Sequence, residues 1–153
     1  DEKGEAYYCH PDFSDRPSSE ISAHLMIHNE FCKMKKSDTA IVHCHPDNMI
    51  TLLRSQIFID PEALNEMFSD ILLEAQILVP RGAGIVEDME PGSDLLANAL
   101  CKEIIKRDIV ILDKHGCFSY GKDLDRALDR IEFVEKAARI YLELLKLKYE
   151  GKK

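Results

Sequence analysis

The chain has 153 residues, with 45% hydrophobic and 31% charged side chains and a formal net charge of −8, which predicts one globular domain over residues 1–153. This acidic balance, with no Lys/Arg cluster, argues against a nucleic-acid surface, and no apolar run approaches the length of a membrane span. Five cysteines without a CxxC pair argue against a disulfide framework and favour a reducing, cytoplasmic setting.

Strand-like and helix-like patterns alternate along the chain, which is typical of the α/β class. The clearest helix starts are the Pro-Ser-Ser run at 17–19, Asp60-Pro61 and Pro91-Gly92-Ser93. In chain order, we predict a strand at 5–9, a loop at 10–17, a helix from 18 to about 35, a strand at 40–42, a short helix at 46–54, a helix at 60–74, a short strand at 76–79, an extended piece at 85–86, a helix at 93–106, strands at 108–113 and 117–120, and a helix from 124 to about 149.

The final predicted helix is much longer than the helices usual in globular domains. Its apolar positions continue to Leu145, so an apolar stripe extends along most of its length. We expect part of this helix to pack outside the domain, on a neighbouring subunit.

Two histidines end the apolar run at 40–42, in the stretch His43-Cys44-His45. Because alternate residues of a strand point to one face, His43 and His45 would project side by side, with Cys44 facing away. Two imidazoles placed in this way can chelate a metal ion or hold one ligand, provided that a third partner lies nearby.

His115 is the candidate third partner. It follows another apolar strand and precedes Gly116, which allows a backbone or a ligand to approach closely. Three imidazoles from two strand ends form an open tripod, which is the usual arrangement of a catalytic zinc and suits Mg²⁺ poorly. The pattern alone leaves open a zinc site and histidines that are satisfied within the core.

Glu20 lies in the first turn of the first predicted helix, where a carboxylate suits the helix dipole. Its simplest interpretation is a solvated helix end. Glu20, His24 and His28 recur every four residues and share a helix stripe, which makes them a rival metal site. The spacing is not HExxH, so the stripe has less support than the tripod.

Five segments, PSSE, HLMIH, AIVHCHPDN, ILVPRGAGIVEDMEPGSD and DKHGCFSYGKDLDRAL, occur in this order. Together they resemble the class II aldolase/adducin family, over essentially the whole chain from about Arg16. The resemblance implies a three-layer α/β/α fold around a central, mostly antiparallel sheet. Within the family, the rhamnulose-phosphate branch fits best because of HLMIH, HCHPDN and a glutamate before the Pro-Arg-Gly turn.

The resemblance implies one Zn²⁺ per subunit, held by His43, His45 and His115, in a homotetramer that acts on a sugar phosphate. It implies that Glu20 is the catalytic glutamate, which transfers the proton at C3 of dihydroxyacetone phosphate. Zinc would then serve as the Lewis acid, so the reaction would need no Schiff-base lysine.

Three further positions are implied by the same resemblance. Glu74 is similar to a second glutamate of the rhamnulose-phosphate enzymes, for proton transfer at the aldehyde oxygen, and a solvated helix end is its alternative. Ser18 and Ser19 match positions that hold the substrate phosphate, and a helix N-terminus suits that anion.

The expected activity is cleavage of L-rhamnulose 1-phosphate to dihydroxyacetone phosphate and L-lactaldehyde. Alternatives on the same scaffold are L-fuculose-phosphate aldolase, ribulose-phosphate 4-epimerase and methylthioribulose-phosphate dehydratase. A non-catalytic adducin-like interaction domain would be expected to lose the histidines. A structural zinc site would need a fourth ligand, for which Cys117 is the nearby candidate, although its extended segment should point it away.

The sequence departs from the family in one respect. Family members carry a longer front half, with a Gly-Asn phosphate loop and further strands of the sheet, and neither is found in these 153 residues. The resemblance therefore implies that another chain, or a part of the protein outside this sequence, supplies them.

Overall fold

The structure is a computed structural model that describes residues 18–36, 39–57 and 60–151. The predicted strand at 5–9 and loop at 10–17 lie outside the described residues. Those residues form six helices and four strands, with bounds α1 (Ile21–Lys33), β1 (Ala40–Cys44), α2 (Asp47–Arg54), α3 (Pro61–Ile71), α4 (Ala75–Leu78), β2 (Ala83–Val86), α5 (Asp94–Ile104), β3 (Ile109–Leu112), β4 (Gly116–Gly121) and α6 (Leu124–Glu150).

The four strands form one sheet in the order β1-β4-β3-β2. β4 pairs antiparallel with both β1 and β3, whereas β2 pairs parallel with β3. Within the described part of the chain the sheet is therefore mostly antiparallel, as predicted. The register sets Cys44 of β1 opposite Cys117 of β4 and His43 opposite Phe118.

Helices cover both faces of this sheet. Side chains of α2, α3 and α6 pack with Ile109, Ile111 and Cys117 on one face. Side chains of α1 and α5 pack with Val110 and Phe118 on the other. Because successive strand residues point to opposite faces, this alternation separates two apolar cores. The predicted three-layer α/β/α class is confirmed.

Two helix starts, those of α3 and α5, follow the chemistry that the sequence indicates, and α6 starts in the same way. The start of α1, by contrast, has no side-chain cap. The side chains of Asp60, Ser93 and Asp123 each accept a hydrogen bond from a backbone N–H in the first turn of α3, α5 and α6. Each cap satisfies one of the N–H groups that a helix leaves without an internal partner, and so it favours a helix that begins at that residue.

One predicted strand is wrong. Residues 76–79, predicted as a strand, instead belong to the short helix α4 and its end. The preceding predicted helix also ends early, at Ile71, because Leu72 has an extended backbone with φ −142° and ψ 126°. A run of four residues, three of them apolar, fits a strand or a helical turn equally well, so length and periodicity could not decide between them.

A buried ion-pair cluster fixes α6 against the sheet. Asp108, which is 1% exposed, lies 2.8 Å from Arg130 of α6 and 3.2 Å from Arg81. Arg130 also donates to the backbone carbonyls of Leu78 and Tyr120. This cluster joins α6 to the end of α4 and to the ends of β3 and β4. Among the described residues, no helix is long and apolar enough to cross a bilayer.

Candidate metal centre

Three histidine side chains meet at one end of the sheet. His43 lies near the end of β1, His45 directly follows that strand, and His115 lies in the turn between β3 and β4. One potential ligand atom from each lies within 4.8 Å of the others. The ring centroids are 4.7 Å apart for His43–His45, 5.0 Å for His43–His115 and 5.2 Å for His45–His115. The structure therefore brings together the three predicted ligands.

The His43 ring is held by two contacts. It stacks on Phe118 at 4.3 Å with an interplanar angle of 20°. Its Nδ1 lies 2.9 Å from the carbonyl oxygen of Cys117. Because a carbonyl can only accept, Nδ1 must carry the proton, and a neutral His43 then has its lone pair on Nε2. This arrangement is the usual one for a metal-binding histidine.

Burial keeps His43 neutral. Desolvation lowers the pKa of His43 to about 4, and the neighbouring rings of His45, His115 and His24 lower it as well. The hydrogen bond to Cys117 opposes this shift in part. Only the neutral imidazole offers a lone pair to a metal ion, so His43 is ready to bind one at neutral pH.

Gly116 allows the strands that carry the histidines to approach closely. A Cβ atom added at this position would lie 2.3 Å from the carbonyl oxygen of Cys44 and 2.8 Å from Cδ2 of His45. No residue with a side chain fits there without moving β1. The close approach that the sequence suggested for Gly116 is present, and it serves the packing of the backbone of β1 and of His45.

A contact from α6 anchors the segment that follows His45. The Glu135 carboxylate accepts hydrogen bonds from the backbone N–H groups of Asn48 and Met49, at 3.1 and 3.0 Å, and from Nδ2 of Asn48 at 2.6 Å. It therefore caps the N-terminus of α2, which begins two residues after His45. Sequence reasoning missed Glu135, because nothing in its own surroundings indicates a partner 87 positions away.

The residues fit a divalent transition metal on two observations. Nδ1 of His115 is buried without a hydrogen-bond partner among the described residues, and a metal site would account for such an atom. The donor set consists of three nitrogens, which suits zinc. His45 is exposed, which leaves room for a further ligand on that side of the cluster. His43, His45 and His115 form the one group of three or more potential metal ligands found among the described residues. His24 and His28 do not belong to it.

Glu20 is almost fully buried, at 2% exposure, immediately before α1. Its Oε2 has no partner among the described residues, and Oε1 is 3.5 Å from Oγ of Ser19. One turn later, His24 lies 5.2 Å from the ring of Phe118, on which His43 stacks. The start of α1 therefore lies on the face of the sheet from which His43 projects, and the interpretation of Glu20 as a solvated helix end is wrong.

Ser18 and Ser19 are exposed beside Glu20. Oγ of Ser18 accepts from the N–H of Glu20 at 3.2 Å. Glu74 is half-exposed just before α4, on the face covered by α2, α3 and α6, and lies 3.9 Å from Lys136. The structure does not bring Glu74 into the histidine cluster.

Cys44 faces away from the histidines and packs at the edge of the core formed with α2, α3 and α6. Cys117 lies opposite Cys44 on β4. Hydrogen bonding between their thiol groups lowers the pKa of Cys44 and raises the pKa of Cys117. Cys117 also points to this core, so it does not close the metal site as a fourth ligand.

Comparison with known proteins covers most of the chain. Residues 4–142 match the family model described as "Class II Aldolase and Adducin N-terminal domain". The rhamnulose-1-phosphate aldolase of Bacteroides thetaiotaomicron is 30% identical over 145 residues, which are 95% of this chain and 54% of that protein. The rhamnulose-1-phosphate aldolase of Mannheimia succiniciproducens is 32% identical over 152 residues, with 96% and 55% coverage.

A solved structure gives the same result for the fold. The sugar-phosphate aldolase from Thermotoga maritima superposes with a TM-score of 0.78 at 38% identity, over 88% of this chain and 56% of that chain. The present chain thus spans about half the length of the curated relatives it matches.

Proposed function

The chain belongs to the class II aldolase and adducin family, and from this premise we propose that it acts in metal-dependent aldol cleavage of a ketose 1-phosphate. L-Rhamnulose 1-phosphate is the favoured substrate, because similar proteins carry that name, and the products would be dihydroxyacetone phosphate and L-lactaldehyde. The observation that carries the proposal is that His43, His45 and His115 each place a potential ligand atom within 4.8 Å of the others, with His45 exposed.

His43, His45 and His115 would hold the metal ion, for which we propose Zn²⁺. A divalent cation in that position supplies Lewis acidity for the negative charge that develops on substrate oxygen atoms when the C3–C4 bond breaks. The exposed side of His45 leaves access for a substrate from solvent. Since the cation supplies this stabilisation, the proposed reaction needs no covalent intermediate on a lysine.

Glu20 would transfer the proton at C3 of dihydroxyacetone phosphate. Its burial and its unpartnered Oε2 support this role, because no described residue competes for that oxygen. A buried carboxylate without a cationic partner is costly, and such groups are concentrated at functional sites. The exposed hydroxyl groups of Ser18 and Ser19, beside Glu20 at the start of α1, would bind the phosphate.

Glu74 would act on the aldehyde oxygen of a substrate held by a neighbouring subunit. Its half-exposed position on the opposite face of the sheet supports a role in trans rather than beside its own histidines. We propose a homotetramer, in which the exposed end of α6, with Leu144, Leu147 and Tyr149, packs against another copy.

The test is an assay for dihydroxyacetone phosphate with a panel of ketose 1-phosphates, run with and without a metal chelator. A signal that the chelator abolishes, and that zinc restores, is the expected result. The preferred sugar then separates the rhamnulose and fuculose branches, and product release without a chelator effect would contradict metal-dependent cleavage.

A matched pair of variants connects this activity to the histidines. His43→Ala should lose bound zinc and activity together, whereas His28→Ala, on α1 and outside the cluster, should keep both. Full zinc occupancy in His43→Ala would overturn the proposed ligand set.

A further inference from the structure

Cys44 and Cys117 occupy directly opposite positions in the antiparallel pairing of β1 with β4. Side chains at such positions lie on the same face of the sheet, with Cβ atoms about 4.5–5.5 Å apart. A disulfide requires a Cβ separation of about 3.5–4.5 Å and a Cα separation of about 4.4–6.8 Å. Both side chains pack in the core formed with α2, α3 and α6, so they lie next to each other. Only a small approach of the strands therefore separates this thiol pair from bond formation.

The two thiols differ in exposure. Cys44 is half-buried, whereas Cys117 is fully buried at 0% exposure. Cys44 is thus the thiol that a dissolved oxidant reaches, and Cys117 is held beside it as the resolving partner. Of the other cysteines that the structure describes, Cys32 is exposed and Cys101 packs against α1, where its thiol contacts the carbonyl oxygen of Met26.

Both cysteines are part of the backbone that positions the metal ligands. Cys44 is the residue between His43 and His45, and the carbonyl of Cys117 accepts the hydrogen bond from Nδ1 of His43. The carbonyl of Cys44 lies against Gly116, next to His115. Drawing Cys44 and Cys117 together must therefore move the segments that carry His43, His45 and His115 relative to each other.

We propose that Cys44 and Cys117 form a redox modification site, in which a peroxide-type oxidant creates a reversible disulfide that weakens cation binding by His43, His45 and His115. The effect on the cation rests on the proposed function, whereas disulfide formation does not. Because opposite strand positions hold the Cβ atoms farther apart than a relaxed disulfide prefers, the bond should be strained and readily reduced, as regulatory disulfides are.

The chemistry needs two steps. Sulfur of Cys44 attacks hydrogen peroxide, the O–O bond breaks, and Cys44 becomes a sulfenic acid while the peroxide is reduced to water. Sulfur of Cys117 then attacks the sulfenic sulfur, an S–S bond replaces the S–O bond, and a second water leaves with the thiol proton. Overall, two thiols and one hydrogen peroxide give one disulfide and two water molecules. An external dithiol then reduces the disulfide back to two thiols.

The first measurement is peptide mapping of metal-free protein after treatment with hydrogen peroxide. A peptide containing Cys44 linked to one containing Cys117, lost on treatment with dithiothreitol, is the expected product. The Cys44→Ala variant should not form it, and Cys32→Ala, which removes an exposed thiol elsewhere, should form it normally. Failure to find this linkage, with Cys44 oxidised singly or joined to another cysteine, overturns the proposal.

The second measurement is zinc affinity, by competition with a chromophoric chelator, before and after oxidation. Oxidised wild-type protein should bind zinc about 10- to 100-fold more weakly, the range caused by disturbing groups around metal ligands. Treatment with dithiothreitol, followed by removal of the reagent, should restore the zinc affinity. In the Cys44→Ala variant, oxidation should leave the zinc affinity unchanged. An unchanged affinity in linked protein overturns the metal effect, and absence of zinc binding by the reduced protein overturns the proposed function instead.

Discussion

His43 shows how single contacts orient a candidate metal ligand. Stacking on Phe118 fixes the plane of the ring, and the carbonyl of Cys117 fixes the tautomer. Neither contact involves a residue next to His43 in the sequence. The HxH pattern could predict the ligand, because it depends only on the period of a strand, but not the groups that orient it.

The burial of His43 predicts how the metal-free protein responds to acid. Its pKa is lowered from 6.5 to about 4 in the folded state, so the unfolded chain binds more protons between these values. The free energy of unfolding should fall as the pH drops from about 6.5 towards 4. Burial lowers the pKa of His24 and of His28 in the same direction.

Urea unfolding of metal-free wild-type and His43→Asn protein at pH 7.5, 6 and 5 would measure this contribution. Asparagine can still donate to the carbonyl of Cys117 but does not titrate. The variant should lose less stability on acidification than the wild type. Equal losses in the two proteins would show that His43 does not contribute.

Glu20→Gln tests the role of the buried carboxylate. The amide keeps the shape of the side chain but cannot accept a proton, so cleavage should fall by about 10²- to 10⁴-fold, the usual range for general acid–base groups. Zinc content should not change. Glu30→Gln, farther along α1 and paired with the exposed Lys33, is the control and should retain activity. Near-normal turnover in Glu20→Gln would contradict the assignment.

At the level of elements, α2 depends on α6 for its first turn. The Glu135 carboxylate is the acceptor for two backbone N–H groups and one side-chain amide of α2. Glu135→Ala should lower the free energy of unfolding by about 1–3 kcal/mol, because partly buried donors lose a charged acceptor. Zinc affinity should fall as well, since α2 starts just beyond His45.

Denaturant unfolding and zinc competition would measure both effects. Glu135→Gln retains one acceptor oxygen and should lose less stability than the alanine variant. Glu132→Ala removes an exposed glutamate from the same helix and should change neither quantity. If Glu132→Ala and Glu135→Ala behave alike, the cap does not position the metal site.

The elements themselves were predicted with mixed success, and the reason is physical. Proline and a capping side chain marked the starts of α3 and α5, and runs of β-branched residues marked β1 and β3. The helix α4 carried no such signal, and its four residues are too few to show a period. It is placed by contacts with α6, such as the bond from Arg130 to the carbonyl of Leu78, which cannot be inferred from local sequence.

At the level of the whole molecule, α6 extends past the core that it covers. Its buried positions end at Ala138, whereas Leu144 and Leu147 are 42% and 64% exposed. If this apolar end joins two subunits, the double variant Leu144→Glu and Leu147→Glu should sediment as a smaller species than wild type. Activity should fall with it, since Glu74 is proposed to act in trans.

Lys148→Glu is the control for this experiment, because it changes charge on the same exposed end without removing apolar surface. It should leave the sedimentation coefficient unchanged. Wild-type protein that sediments as a monomer at working concentration would contradict the proposed assembly.

The order of the strands has a consequence for how the protein folds. His43 and Cys117 are 74 positions apart, and the contact between their strands must close a long loop before it yields any stabilisation. The proposed cation site is built across that same contact, so it cannot form before β1 and β4 pair. If β1 and β4 pair after the rate-limiting step of folding, bound zinc should leave the folding rate nearly unchanged and slow unfolding.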